Sequence, residues 1–209
     1  SPGTRLLLRF NRTERSLHWT HAVAFLLMLA TGLILMLPTL SEIVARRQLV
    51  KNVHLWTAVA WVVLIAIIIA VGDRRSLRRD WREAESLDSD DRRWLLGRRV
   101  TQGKFNAGQK LNVLLTAAFA VLFLVSGVFL WLGERDHRFL LDGTGTVHVV
   151  LTWVSLVILV GHLYLAVFHP STRHALRGIT RGEVREDWAE RHHAKWAEQM
   201  DGAADRETR

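Results

Sequence analysis

The chain has 209 residues, 49% of them hydrophobic, with nine Trp, no Cys and a formal net charge of +8 at pH 7. Without thiols it forms no disulfide, no thiolate-held iron–sulfur cluster and no covalent haem link through C-x-x-C-H. Mean hydropathy is only +0.11 because charged segments dilute the apolar runs, and the basic residues flank those runs, which argues for a seat in a membrane and against nucleic acid as a partner.

An N-terminal segment with Arg5, Arg9, Arg12 and Arg15 leads into the first apolar run, residues 17–37, which opens in RSLHWTHAVAF and closes at Leu37-Pro38. This run is long enough to span a bilayer and lacks a small-residue cleavage pattern, so it is expected to stay as a span rather than be removed as a signal peptide. A short connection with Arg46, Arg47 and Lys51 follows. The second run, residues 53–71, opens in NVHLWTAVAW and ends at Gly72-Asp73. Residues 73–110 then mix both signs of charge with Trp81 and Trp94, a composition that suits short helices at the headgroups as well as a solvated linker. Their last stretch is GKFNAGQK, Gly103 to Lys110, which introduces the third run, residues 111–132. After GERDHRFLLDGTG comes the fourth run, residues 147–168, closing at His169-Pro170. The tail, residues 170–209, contains WAERHHAKWAEQM, which reads as an amphipathic helix, and its polar end from Gly202 is expected to fray.

None of the four runs contains Asp, Glu, Lys or Arg. The expected fold is therefore an all-α integral membrane protein, a four-transmembrane-helix bundle forming one domain over residues 1–209. Of the basic residues, twenty-three lie in the termini and the 73–110 loop, against five in the other two connections. The positive-inside rule places that richer side, with both termini, in the cytoplasm, and makes 73–110 a cytoplasmic loop.

Orientation gives each span histidine a depth. His18 starts span one at the inner face, and His54 starts span two at the outer face. On span four, His148 begins at the outer face and His162 follows fourteen residues later, about 21 Å along a helix and on the same side of it. The four form two levels, His54 with His148 and His18 with His162. Imidazole pairs at two levels suit two bis-histidine haems, the porphyrin supplying the other four iron ligands. A zinc or di-iron site would recruit carboxylates, thiolates or a third histidine at one level, and a proton-coupled transporter would need intramembrane acids; these spans offer none. His21, one helical turn from His18, competes as the span-one ligand. Gly32, Gly127 and Gly161 suit close approach of a porphyrin or simple helix contact. Arg15 and Arg47 are placed to meet haem propionates or to snorkel to headgroups. His137, His174, His192 and His193, outside the spans, read as surface histidines, and His169 sits at the membrane surface.

These residues resemble the gamma subunit of respiratory formate dehydrogenase, a diheme cytochrome b. RxxHWTH around His18, NVHLW around His54, GKFNAGQK, the pair His148/His162 and the tail GEVREDWAERHHAKW carry the resemblance, in order and over nearly the whole chain. His21 departs from the family pattern. The resemblance implies two haems b in the bacterial inner membrane, with His54 and His148 on the iron of the outer one and His18 and His162 on that of the inner one. It implies a quinone beside the inner haem near Asn106, Gly108 and Gln109, where amide and backbone donors meet a carbonyl; an N-cap role for Asn106 is compatible with this. The implied partners are an iron–sulfur beta subunit, which delivers electrons at the outer face, and a catalytic alpha subunit, besides membrane lipid. Formate chemistry would lie in that alpha subunit, and this chain would be an electron-transfer and quinone-reducing subunit. A cytochrome b anchor of a hydrogenase or another dehydrogenase is the nearest alternative, and a non-redox metal or transport protein the more distant one.

Overall fold

A computed structural model of the chain describes residues 5–207. Four helices are long and apolar enough to cross a membrane: α1 (Arg12–Met36), α3 (Arg47–Val71), α6 (Ala107–Gly133), and α7 (Thr144–Leu163) together with a π-helical turn at Tyr164–Phe168. Between and after them lie α2 (Pro38–Val44), α4 (Arg74–Glu85), α5 (Ser89–Leu95), α8 (Ala175–Arg181), α9 (Glu186–His192) and α10 (Ala194–Glu207).

The ends of these helices are written in local chemistry. Asn11 and Glu14 form a reciprocal box ahead of α1: Asn11 Oδ1 accepts from the Glu14 N–H at 3.0 Å, and Glu14 Oε2 accepts from the Asn11 N–H at 2.8 Å. That cap starts α1 several residues before the apolar run. Pro38 opens α2, where its missing N–H is no loss, and Ala45 in the left-handed region (φ 51°) ends it. Asp73 caps α4 through the N–H groups of Arg75 and Ser76, and Asp88 with Asp91 boxes the start of α5. The charged stretch 73–110 thus holds two short helices, α4 and α5, with non-helical chain over 96–106 before α6.

The chain divides into two compact units. The polar unit holds residues 5–15, 73–116 and 165–207 of the described chain. It contains an antiparallel ribbon, β1 (Leu6–Leu8) with β2 (Glu183–Arg185), in the register Leu6–Arg185, Leu7–Val184 and Leu8–Glu183. The ribbon is an addition to the all-α expectation. Gly182, at φ 93°, closes it: its carbonyl accepts from the N–H groups of Arg9 and Phe10 at 2.8 and 3.0 Å. Leu7 and Val184 from the ribbon pack with Trp188, Ala189, Trp196 and Ala197 into the core of this unit. Each fully buried large side chain there contributes about 1.5–3 kcal/mol.

The apolar unit, Ser16–Gly72 and Ala117–Tyr164, is built the other way out. Val23, Val71 and Val157 stand exposed, while Thr31, Ser126 and Ser155 are buried. Lipid reverses the soluble pattern in this manner, since the outer surface must be apolar and polar groups are satisfied inside. Lys51 pairs with Glu134 at 2.5 Å.

Four expectations change. Arg47 and Lys51 belong to α3 rather than to a connection, and the fourth long helix begins at Thr144. The expected fraying from Gly202 gives way to helix as far as Glu207, and the end of that stretch lies outside the described residues. His193, read as a surface histidine, is buried.

Candidate functional site

In the apolar unit the span histidines meet in twos. His54 on α3 and His148 on α7 have ring centres 6.4 Å apart, and so do His18 on α1 and His162 on α7. His21 is engaged elsewhere: the Trp61 indole N–H donates to its Nδ1 at 3.2 Å, and its ring stacks on Phe25. Among the described residues no three His, Asp or Glu side chains converge.

The His54/His148 level is held by hydroxyls. Thr31 Oγ1 lies 2.8 Å from His54 Nδ1, and Ser126 Oγ lies 2.7 Å from His148 Nδ1. Phe123 meets the His148 ring edge-on at 5.1 Å. Gly32 and Gly127, the residues next to these hydroxyls, sit against the imidazoles: a Cβ at Gly32 would lie 3.5 Å from His54 Cε1, and one at Gly127 would lie 3.6 Å from His148 Cε1. Thr31 and Ser126 were not singled out from the sequence. Their signal is a hydroxyl–glycine step, Thr31-Gly32 and Ser126-Gly127, repeated in the C-terminal halves of spans one and three.

Arg47 donates to the Leu35 carbonyl at 2.9 Å, and Arg15 to the Thr180 carbonyl at 3.0 Å, so each is tied to backbone.

In the polar unit, Asn106 and Gln109 cap α6 for each other. Asn106 Oδ1 accepts from the Gln109 N–H at 2.9 Å, and Gln109 Oε1 accepts from the Asn106 N–H at 3.0 Å. The Ala107 N–H goes to Gln102 Oε1 at 3.1 Å. Of the first-turn N–H groups, that of Gly108 has no partner among the described residues. A Cβ on Gly108 would press on the Trp94 ring at 3.3 Å.

Around this cap lies a buried cluster that sequence reading missed. Lys104 reaches Glu14 at 3.0 Å and Asp80 at 2.6 Å, Ser76 Oγ donates to Glu14, and Lys110 reaches Asp91 at 2.7 Å. Arg9 Nη2 donates to the Lys104 carbonyl at 2.7 Å and to Gln109 Oε1 at 3.2 Å, and lies 3.0 Å from His193 Nε2. Burial lowers Arg9 to about 10 and raises Asp80 to about 7, the second against the pull of Lys104. Burial, and then the Arg9 charge, push His193 down to about 3. His193 is thus a neutral imidazole that links Arg9 to the Gly103 carbonyl, 2.7 Å from its Nδ1.

Residues 9–182 match the family described as prokaryotic cytochrome b561. The chain belongs to that family. Among the relatives of this cytochrome is the nitrate-inducible formate dehydrogenase cytochrome b556(Fdn) subunit of Escherichia coli (strain K12), 21% identical over 96% of this chain and 94% of its own length. The formate dehydrogenase cytochrome b556(fdo) subunit of the same strain is 26% identical over 91% of each chain. The formate dehydrogenase cytochrome b556 subunit of Haemophilus influenzae is 24% identical over 94% of this chain and 84% of its own.

Membership in a cytochrome b family implies haem b, and the histidines of this cytochrome fit it. A metal–imidazole bond of about 2.0 Å and about 1.1 Å from nitrogen to ring centre, taken on both sides, separate two axial rings by about 6 Å. Both histidine pairs have that spacing, 6.4 Å. The hydroxyls on Nδ1 of His54 and His148 leave Nε2 of each ring as the nitrogen that would hold a haem iron.

Proposed function

We propose that this chain is the membrane cytochrome b subunit of a formate dehydrogenase, carrying electrons from an iron–sulfur partner at the outer face to quinone at the cytoplasmic side. The observation that carries the redox reading is the doubled histidine pair at 6.4 Å, in a chain of the cytochrome b561 family. The formate dehydrogenase assignment rests on the three relatives named above, all of them cytochrome b556 subunits of that enzyme.

Haem b, when bound, supplies a one-electron centre at each level. The chain's own part would be to hold it, with His54 and His148 at the outer level and His18 and His162 at the inner level. His21, committed to Trp61, is left out of the ligand set. The apolar runs of the four long helices, which carry no charged side chains, limit the access of water to both levels. With both termini cytoplasmic by the charge rule, α7 runs from the entry level to the exit level.

In this reading the quinone is the substrate, held by the 106–109 segment. The N–H of Gly108 and the amide NH2 groups of Asn106 and Gln109, which the reciprocal cap leaves over, are donors for its carbonyl oxygens. The two protons that complete quinone reduction come from the cytoplasm. Formate oxidation belongs to a separate catalytic subunit, and the residues of this chain act as one cytochrome domain.

A dithionite-reduced minus oxidised spectrum with a haem assay tests the assignment. Two haems b per chain are expected in the wild type and in His21→Ala, and one in each of His54→Ala, His148→Ala, His18→Ala and His162→Ala. A wild type without haem bands, or a His162→Ala form that keeps both haems, overturns it. Reoxidation of the reduced protein by a soluble quinone, slowed in Asn106→Leu and Gln109→Leu with both haems retained, tests the quinone segment. Co-purification with formate dehydrogenase subunits, rather than with a hydrogenase, tests the partner.

A further inference from the structure

We propose that Thr31 and Ser126 are positioning residues that set the reduction potential of the outer level, by fixing His54 and His148 as Nδ1–H donors. The inference rests on the haem reading above and adds a function for two residues outside the ligand set.

The haem reading gives the direction of both hydrogen bonds, because a neutral imidazole that binds iron through Nε2 carries its proton on Nδ1. A hydroxyl has one proton. Thr31 Oγ1 lies 2.8 Å from the Leu27 carbonyl and 3.1 Å from that of Met28, and Ser126 Oγ lies 2.7 Å from the Leu122 carbonyl and 3.2 Å from that of Phe123. Each hydroxyl thus has a carbonyl of its own helix to take its proton, the usual habit of Ser and Thr within apolar helices. With the hydroxyl proton on the carbonyl, a lone pair meets each imidazole, and His54 Nδ1 and His148 Nδ1 are the donors. Nε2 of each ring is left as a bare lone pair, the form that binds iron.

A ring that donates from Nδ1 is a more basic ligand at Nε2. More electron density on the metal favours its higher oxidation state, so the one-electron potential falls. The effect needs a bond that water does not compete for, and Thr31 and Ser126 are only 6% and 5% exposed. It also needs a ring that cannot swing away. Gly32 and Gly127 meet this, because each lets the imidazole Cε1 edge settle against the helix. The hydroxyl–glycine step occurs once on α1 and once on α6, facing the two ligands of one level.

The inner level is built differently. His18 Nδ1 is buried and has no partner among the described residues. The two levels thus share ligand type and spacing and differ in the hydrogen bonds behind the ligands. That difference gives the chain a means to set the two potentials apart.

Potentiometric titration of the haem-loaded protein, followed by visible spectroscopy, provides the test. The transition that is absent from His54→Ala identifies the outer level. In Thr31→Val/Ser126→Ala the outer transition is expected to shift upward by about tenfold in the reduced-to-oxidised ratio at fixed potential, about 59 mV for one electron. The inner transition stays in place. Each single variant gives part of the shift, and Thr31→Ser with Ser126→Thr restores the wild-type value. Unchanged potentials with both haems present, or equal shifts at both levels, overturn the proposal. Loss of the outer haem from both single variants also overturns it, leaving the hydroxyls a purely structural task. A wild type without haem fails the haem reading itself, a result distinct from all of these.

Discussion

Lys104→Met is the most informative perturbation of the polar unit. The lysine is 4% exposed, and its ammonium holds two carboxylates, Glu14 at 3.0 Å and Asp80 at 2.6 Å. At an effective dielectric of about 20 each contact is worth about 6 kcal/mol in Coulomb terms, most of it offset by desolvation. Methionine fills the space but leaves the acids with only the exposed Arg79, 4.0 Å from Glu14 and 3.8 Å from Asp80, and removing one partner of such a buried set costs about 3–5 kcal/mol. The loss depends on pH. Asp80, already raised to about 7, escapes part of the repulsion by taking up a proton. The low end of the range is expected at pH 6 and the high end at pH 8.5. Thermal unfolding in detergent, followed by tryptophan fluorescence, should show Tm lowered by roughly 10 °C at pH 8.5. Adding Asp80→Asn should return part of it. A loss below about 1 kcal/mol, or one independent of pH, would refute the view that Lys104 neutralises this pair.

Other outcomes follow from single observations. His193 is held neutral in the fold, while an unfolded chain protonates it below about pH 6.5. Its contribution is complete above that pH and drains away as pH falls toward 3; acid titration of tryptophan fluorescence should find His193→Gln less sensitive between pH 6.5 and 4. Gly182→Ala should destabilise the polar unit by about 1–3 kcal/mol, because φ is 93° and the new Cβ would stand 2.8 Å from the Phe10 carbonyl oxygen; a melt unchanged from wild type would contradict this. Trp61→Phe should leave haem content at the wild-type level, since the indole serves His21 rather than a paired histidine.

The spans were readable because a bilayer asks one thing of a helix, an apolar run of sufficient length, and composition reports that directly. Their exact starts were not, because caps such as Asn11/Glu14 lie in polar sequence ahead of the run. The histidine levels followed from helix rise and orientation, and the structure brings those same rings together in the same twos. GKFNAGQK was conspicuous as a block, but the work of its lysines was hidden. Lys104 finds Glu14 ninety residues away and Lys110 finds Asp91 nineteen away, and no local periodicity encodes such partners. His193 misled for a related reason. In a charged tail it looks solvated, and only the distant Arg9 and Gly103 carbonyl reveal why it is buried. The three-residue strands are too short to show alternation.

The ribbon also orders events during synthesis. β1 leaves the ribosome well before its partner β2, Glu183–Arg185, which comes about 175 residues later. At about 5–20 residues per second the first strand waits roughly 9–35 s, while all four spans are being made. The pairing of Leu7 with Val184 thus acts as a completion mark: a chain that stops or stalls before the ribbon can close never buries Leu7, and an unburied strand edge is the kind of surface on which quality-control proteases and chaperones act.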